Sequence, residues 1–169
     1  MSSVIKVDAI QNQSGTSALN VNGDGVIRHG KIPMLKVGIG AVSSPSGSNS
    51  KVAYNSFSSS NVFDGEDNMS AFDTSSSTYT IPTNCAGLWH ISVSLYSTGV
   101  VPNQFAVYLN GVRKDAIGNH NGVAPMMHGA LVKRFSVGDA VQIWIFHGSG
   151  TVNQQPNPYH SYWQMNFLG

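Results

Sequence analysis

The chain of 169 residues has little of three features that define common protein classes: cysteine, charge and long apolar runs. Its single cysteine, Cys85, cannot form an internal disulfide, which excludes a small domain stabilised by disulfides. Charged residues make up 10% of the chain, against about 25% in an average domain. The net charge is +1 and no basic cluster is present, which argues against a nucleic-acid-binding protein.

The sequence contains no apolar run of the roughly 18 residues that a membrane-spanning helix needs. Its first residues also lack the basic start and apolar stretch of a secretory signal. We therefore expect the protein to be made in a cytoplasm and, if it leaves the cell, to leave by another route. Polarity comes from serine, threonine, asparagine, glutamine and glycine, which suits a surface that is partly hidden in an assembly.

Sequence patterns of catalytic and metal sites are absent as well. No Gly-x-Ser-x-Gly turn occurs, and the six histidines do not follow the spacing of a His-Glu-x-x-His helix. The densest acidic group comprises Asp64, Glu66, Asp67 and Asp73, which form either a cation site or, more simply, a solvated turn. We predict a protein that is not an enzyme and carries no cofactor or metal.

The chain does contain many short segments in which apolar and polar residues alternate, as they do in half-buried β-strands. In segment 88–96, for example, Ile91, Val93 and Leu95 share one face. Asn-Gly and other turn pairs separate the segments, and no window has a helical period. This pattern predicts an all-β fold, an antiparallel sandwich or jelly roll.

Two of these segments have more large apolar residues than one buried face requires. Trp144 and Phe146 alternate with a second apolar set, and Trp163, Met165 and Phe167 dominate the last strand. Because a sandwich strand needs only one buried face, we expect another subunit to cover the extra aromatic surface. These five residues should therefore divide between the sandwich core and a subunit interface.

Residues 1–30 differ from residues 31–169. They contain two short apolar segments and the turn pairs Asn-Gly and Asp-Gly, too little to bury a core alone. We predict a short β-type N-terminal segment followed by a jelly-roll head domain. The segment needs partners, either the head or identical copies from neighbouring chains.

Six motifs in order along the head resemble the trimeric globular head shared by the first complement component and the tumour necrosis factor family. They are Val-Ala-Tyr-Asn in 51–55, Phe-Asp with Tyr-Thr-Ile-Pro in 72–82, Ala-Gly-Leu-Trp-His-Ile-Ser-Val in 86–93, the Asn-Gly turn of 107–111, Gly-Asp in 131–141, and the aromatic strand 161–168. The resemblance covers about 135 residues of the chain, and it implies a homotrimeric jelly roll. Trp89 departs from it, since the family usually has Tyr or Phe there.

The first thirty residues resemble the N-terminal segment of many bacteriophage fibre and virion proteins. This resemblance implies that they attach the protein to the particle, with contacts from Val4, Ile5, Val7, Ile10, Leu19 and Val21. We therefore expect a virion structural protein that is made in the host cytoplasm, forms a homotrimer and binds other virion proteins. It would act as a short tail fibre or receptor-binding protein; the alternative is a capsid decoration (cement) trimer that stabilises the phage head.

A tail fibre would contact a bacterial surface glycan or protein through exposed polar loops. Loops 98–104, 118–128 and 148–160 have the composition for this role. The candidate receptor-binding residues are Asn103, Gln104, Asn119, His120, Asn121, Asn153, Gln154 and Tyr159. No nucleic acid and no membrane span are expected.

Overall fold

The computed structural model describes residues 9–11, 17–21, 27–29, 32–119 and 125–169, with the backbone alone for the residues before 32 and for residue 119. The chain forms two compact units, Met1–Ile32 and Pro33–Gly169. The described residues form β-strands joined by turns and contain no helix, so the all-β prediction is confirmed.

The first unit contains a three-stranded antiparallel sheet in the order β1-β2-β3. Its strands are β1 (Ala9–Gln11), β2 (Ser17–Val21) and β3 (Ile27–His29). Ile10, Leu19 and Val21, three of the predicted virion-attachment residues, lie on these strands. The other three, Val4, Ile5 and Val7, lie outside the described residues, and their role stays a prediction.

The second unit is a sandwich of two antiparallel sheets. Its strands are β4 (Met34–Ile39), β5 (Asn49–Lys51), β6 (Tyr54–Ser56), β7 (Glu66–Asp67), β8 (Phe72–Asp73), β9 (Thr78–Thr80), β10 (Gly87–Gly99), β11 (Gln104–Leu109), β12 (Val112–Asn119), β13 (Met126–Phe135), β14 (Ala140–Phe146), β15 (Val152–Gln154) and β16 (Tyr162–Phe167). The seven-stranded sheet has the order β13-β10-β16-β4-β6, with β15 also paired to β10 and β7 to β4. The six-stranded sheet has the order β12-β11-β14-β9-β8, with β5 also paired to β14.

The core lies between the two sheets and follows the predicted alternation. Ile91, Val93 and Leu95 on β10 are fully buried, and the residues between them point to the outside of the sheet. On β16, Trp163 and Met165 are fully buried, which assigns them to the sandwich core. The strand β16 lies in the middle of its sheet, between β10 and β4, because Trp163 pairs with Val93 on one side and Val37 on the other.

Phe167 is partly buried and packs against the same core. Its ring lies 5.2 Å from that of Trp89, measured between centroids. Trp89 also contacts Tyr79 at 5.6 Å, and its indole N–H donates to the carbonyl of Cys85 at 3.0 Å. The tryptophan at this position therefore fills the core and has its polar atom satisfied.

The motif at 51–55 spans two strands, since β5 ends at Lys51 and β6 begins at Tyr54. β5 belongs to the six-stranded sheet and β6 to the seven-stranded sheet, so the chain crosses between sheets at Val52 and Ala53. The alternation survives the crossing because Ser50, Val52 and Tyr54 all point into the core. A two-residue period therefore could not reveal that the chain changes sheets here.

The side chain of Gln154 holds this crossover together. Its amide oxygen accepts from the N–H of Ala53 at 2.8 Å, and its amide nitrogen donates to the carbonyl of Lys51 at 3.0 Å. These two backbone groups have left one ladder without joining the next, and a buried backbone group without a partner is costly. Gln154 is 0% exposed, so it does not fit its predicted role of contacting a receptor.

Candidate functional site

One candidate surface is the outward side of the seven-stranded sheet, formed by β10, β13 and β16; we call it the seven-strand face. Leu88, Met126 and Val132 are exposed there, and Tyr96 and Tyr162 are half-buried. The remaining outward residues of these strands are His90, Ser92, Ser94, His128, Ala130, Arg134, Gln164 and Asn166. Arg134 is the one permanently charged residue among them, and no carboxylate is present, so the face is nearly neutral and combines apolar with uncharged polar side chains.

The loop 57–65 covers the β4 side of this sheet. A Cβ atom on Gly38 would lie 2.4 Å from the carbonyl oxygen of Asn61 and 2.8 Å from the Cβ of Val62, so only glycine permits this close approach. Val62 is fully buried as a result. At the rim, the exposed rings of Phe63 and Tyr159 contact each other edge to face, with centroids 4.8 Å apart.

A second candidate surface is the outward side of the six-stranded sheet, formed by β5, β11, β12 and β14; we call it the six-strand face. Tyr108 and Trp144 stack there with centroids 4.6 Å apart and an interplanar angle of 24°. The guanidinium carbon of Arg113 lies 4.2 Å from the centroid of the Phe146 ring. Trp144 and Phe146 are half-buried by contacts within their own chain, and their role at a subunit interface stays a prediction.

Two of the acidic residues of 64–73, Asp67 and Asp73, accept hydrogen bonds from the turns around them. The carboxylate of Asp67 accepts from the N–H groups of Met69 and Phe72 at 3.3 and 2.8 Å. Hydrogen bonds from the hydroxyls of Ser76 and Ser75 lower the pKa of Asp73 to about 2. Within the described part of the chain, no group of three or more His, Cys, Asp or Glu residues is arranged to hold a metal ion.

Two of the predicted receptor-binding loops, 98–104 and 148–160, meet at one end of the sandwich. The N–H of Asn103 donates to the carbonyl of Phe146 at 2.8 Å, and Val100 N–H donates to Thr151 at 3.0 Å. Asn103 and Tyr159 are exposed, whereas Gln104 and Asn153 are half-buried. His120 and Asn121 lie outside the described residues, as does the side chain of Asn119.

Sequence reasoning named Trp144 and Phe146 but did not single out the three outward tyrosines, Tyr96, Tyr108 and Tyr162. Tyr96 and Tyr162 alternate with buried neighbours, and Tyr108 does so on β11, so the period of two marks all three as outward. That signal does not say whether an outward tyrosine faces solvent, a partner or its own chain. Only the pairing of the strands shows that Tyr162 shares a face with His128 and that Tyr108 lies beside Trp144.

No family model matches the chain, and no curated protein does. Among solved structures, the chain is similar to murine APRIL at pH 8.5, with a TM-score of 0.56 and 11% identity over 82% of this chain and 100% of that one. It is also similar to the globular domain of zebrafish complement 1qA protein, with a TM-score of 0.51 and 19% identity over 80% and 95% of the two chains. The fold is a jelly roll of this kind. At these identities the likeness establishes the fold and leaves the function open.

Across the residues that the structure describes, no helix is long and apolar enough to span a bilayer.

The single cysteine is packed inside the second unit. Cys85 is buried, its thiol points to the carbonyl of Thr83 at 3.4 Å, and burial raises its pKa.

Proposed function

We propose that the protein is a bacteriophage virion protein, a homotrimeric short tail fibre that binds the host surface and has no catalytic role. The observation that carries the proposal is the seven-strand face, a surface of the described strands that carries no carboxylate and exposes Leu88, Met126 and Val132. The resemblance of residues 1–30 to virion proteins supports attachment to a particle. The jelly-roll fold supports a compact head at the end of that attachment.

The seven-strand face is suited to contact with identical copies. Soluble monomers rarely expose large contiguous apolar patches, and such patches commonly mark interfaces. Closed rotational symmetry lets the same face be covered in every copy. Because the outward residues of β10, β13 and β16 include Arg134 and no carboxylate, burying them leaves few charges without solvent. The number three follows the resemblance to trimeric heads.

A charge introduced on this face tests the trimer. In Val132→Glu, a carboxylate occupies a position on the face that is 56% exposed in the single chain, and three copies would repel one another. Val112→Glu is the matched control, since Val112 is 55% exposed but lies on β12 in the other sheet. We expect light scattering to give about 54 kDa, three times the 18.0 kDa chain, for wild type and V112E, and a smaller mass for V132E.

This measurement can also reject the trimer. A wild-type protein that is folded and monomeric at micromolar concentration contradicts it. A V132E variant that keeps the full trimer mass shows that subunits associate through a different surface. Circular dichroism of both variants separates loss of assembly from loss of fold.

The position on the particle decides between a fibre and a decoration protein. We propose electron microscopy of the source particles with an antibody to the head domain. Label at the tail supports the fibre, because a fibre must reach the host. Label spread over the shell identifies a cement trimer instead, and particles without label contradict a virion role of either kind.

A further inference from the structure

The six-strand face has the composition of a binding surface rather than of a core. Three aromatic rings, those of Tyr108, Trp144 and Phe146, lie on neighbouring strands and point away from the sandwich. The strand register places the rings side by side. Trp144 pairs with Ala106, which is two residues before Tyr108 on β11. Phe146 pairs with Gln104, two residues before Ala106. Each ring is half-buried, so part of each remains accessible.

The rings are held in place by polar side chains of the same face. The amide oxygen of Gln142 accepts from the indole N–H of Trp144 at 3.3 Å, and its amide nitrogen donates to the hydroxyl of Thr78 at 2.9 Å. Arg113 packs on the ring of Phe146 and donates to the amide oxygen of Gln104. A surface fixed in this way loses little conformational entropy on binding.

The charge of the face is positive. Arg113 and Lys51 point outward, and the one acidic residue of these four strands, Asp115, lies in register with the buried Val107. Asp115 forms an ion pair with Lys133 of the opposite sheet, with N and O atoms 2.6 Å apart. Arg113 therefore has no carboxylate of these four strands beside it, whereas the ammonium of Lys51 donates to the carbonyl of Ser76, whose hydroxyl binds Asp73.

We infer that the six-strand face binds an acidic glycan, one that carries uronic or sialic acid. Aromatic rings accept the C–H faces of sugars, and the amides at their edges match sugar hydroxyls. The guanidinium of Arg113 supplies the geometry that a carboxylate needs. This inference rests on the proposed function, because it names the chemistry of the host ligand that a tail fibre would contact.

A second copy of the chain fits this face less well. Strands β11 and β14, which the structure describes in full, contribute none of the exposed large apolar residues. The aromatic rings are instead rimmed by amides and cations, and the core of a protein interface is depleted of charge. The seven-strand face instead exposes Leu88, Met126 and Val132 and is the one we assign to self-association.

The first experiment uses immobilised bacterial polysaccharides that contain uronic or sialic acids, each paired with its carboxyl-reduced form. We expect the full-length protein to be retained by the acidic members and to lose retention on the reduced forms. Trp144→Ala should weaken binding about tenfold, since a stacking contact and its buried area are lost. Trp144→Phe should recover most of it, and Arg113→Gln should weaken binding to the acidic forms alone.

The matched control is Phe63→Ala, which removes an aromatic ring that is 43% exposed but lies at the rim of the other sheet. It should bind as wild type does. Intrinsic fluorescence gives an independent readout, because Trp89 and Trp163 are fully buried and Trp144 is the outward tryptophan. Adding the retained polysaccharide should change the emission of wild type and leave that of Trp144→Phe unchanged.

Three results would overturn the inference: equal retention on acidic and reduced forms, unchanged binding by Trp144→Ala, or retention by none of the polysaccharides. A trimer that labels the phage tail but binds no polysaccharide would reject the glycan and leave the proposed function intact. Binding that depends on Trp144, by a protein that is absent from phage particles, would support the glycan and reject the proposed function.

Discussion

The two outward faces of the sandwich differ although they are built by the same rule. Both lie on strands with large side chains on each side, yet Val132 and Met126 are exposed on the seven-strand face, whereas Trp144 stacks on Tyr108 on the six-strand face. Side chains of the same chain therefore leave these apolar residues of the seven-strand face uncovered. The comparison teaches that an aromatic surplus in the sequence is a poor guide to which face associates with another subunit.

The comparison requires that Trp163 belongs to the core and Trp144 to an outward face. The substitution with the largest expected effect on stability tests this assignment. Trp163→Ala empties a core position in contact with Tyr54 and Phe72, whose ring centroids lie 6.1 and 5.5 Å away. We expect the free energy of unfolding to fall by about 3–5 kcal/mol, measured by urea denaturation. Trp163→Phe should cost much less, because it keeps an aromatic ring and removes an indole N–H that has no hydrogen-bond partner.

A smaller effect is expected where the chain passes from one sheet to the other. Gln154→Ala leaves the N–H of Ala53 and the carbonyl of Lys51 without partners, which should cost about 1–3 kcal/mol. Gln155→Ala is the control, since that side chain makes one exposed hydrogen bond, to Thr98 at 3.2 Å. Equal unfolding midpoints for the two variants would show that the crossover does not need the buried amide.

The six-strand face should contribute still less to stability. Trp144→Ala removes a surface stack worth about 0.5–1.5 kcal/mol, and its effect on binding should exceed its effect on unfolding. The same denaturation experiment checks this value. A loss as large as that of Trp163→Ala would place Trp144 in the core energetically and remove the distinction between the two faces.

The smallest expected effect is on the loss of thermal stability at low pH. Because the pKa of Asp73 is lowered to about 2 in the folded state, from about 3.9 in the unfolded chain, its ionised form stabilises the fold above the unfolded pKa. That contribution is lost as the pH falls through the folded pKa. Between pH 4 and pH 2, wild type should therefore lose slightly more thermal stability than Asp73→Asn. An identical slope in both proteins would contradict this.

Much of the fold was predictable from the sequence because the alternation of β10, β14 and β16 is strong and local. The site was harder to predict, because whether Trp144 and Trp163 point into the core or outward depends on which strands become neighbours. Both tryptophans sit in strands with apolar residues on either side, and only contact with Tyr54 or Tyr108 separates them. Gln154 was misjudged for the same reason: a polar residue near a loop is usually solvated, and its two backbone partners are about a hundred positions away in the sequence.

The central position of β16 has a consequence for how the protein is made. During synthesis, β4 and β10 emerge long before the strand that must lie between them, so the larger sheet stays open while most of the chain is already outside the ribosome. Such long-range pairing slows folding, and two unpaired strand edges invite association with other nascent chains. A chain interrupted before residue 162 would keep those edges permanently, which makes late truncations a source of aggregates rather than of partly active heads.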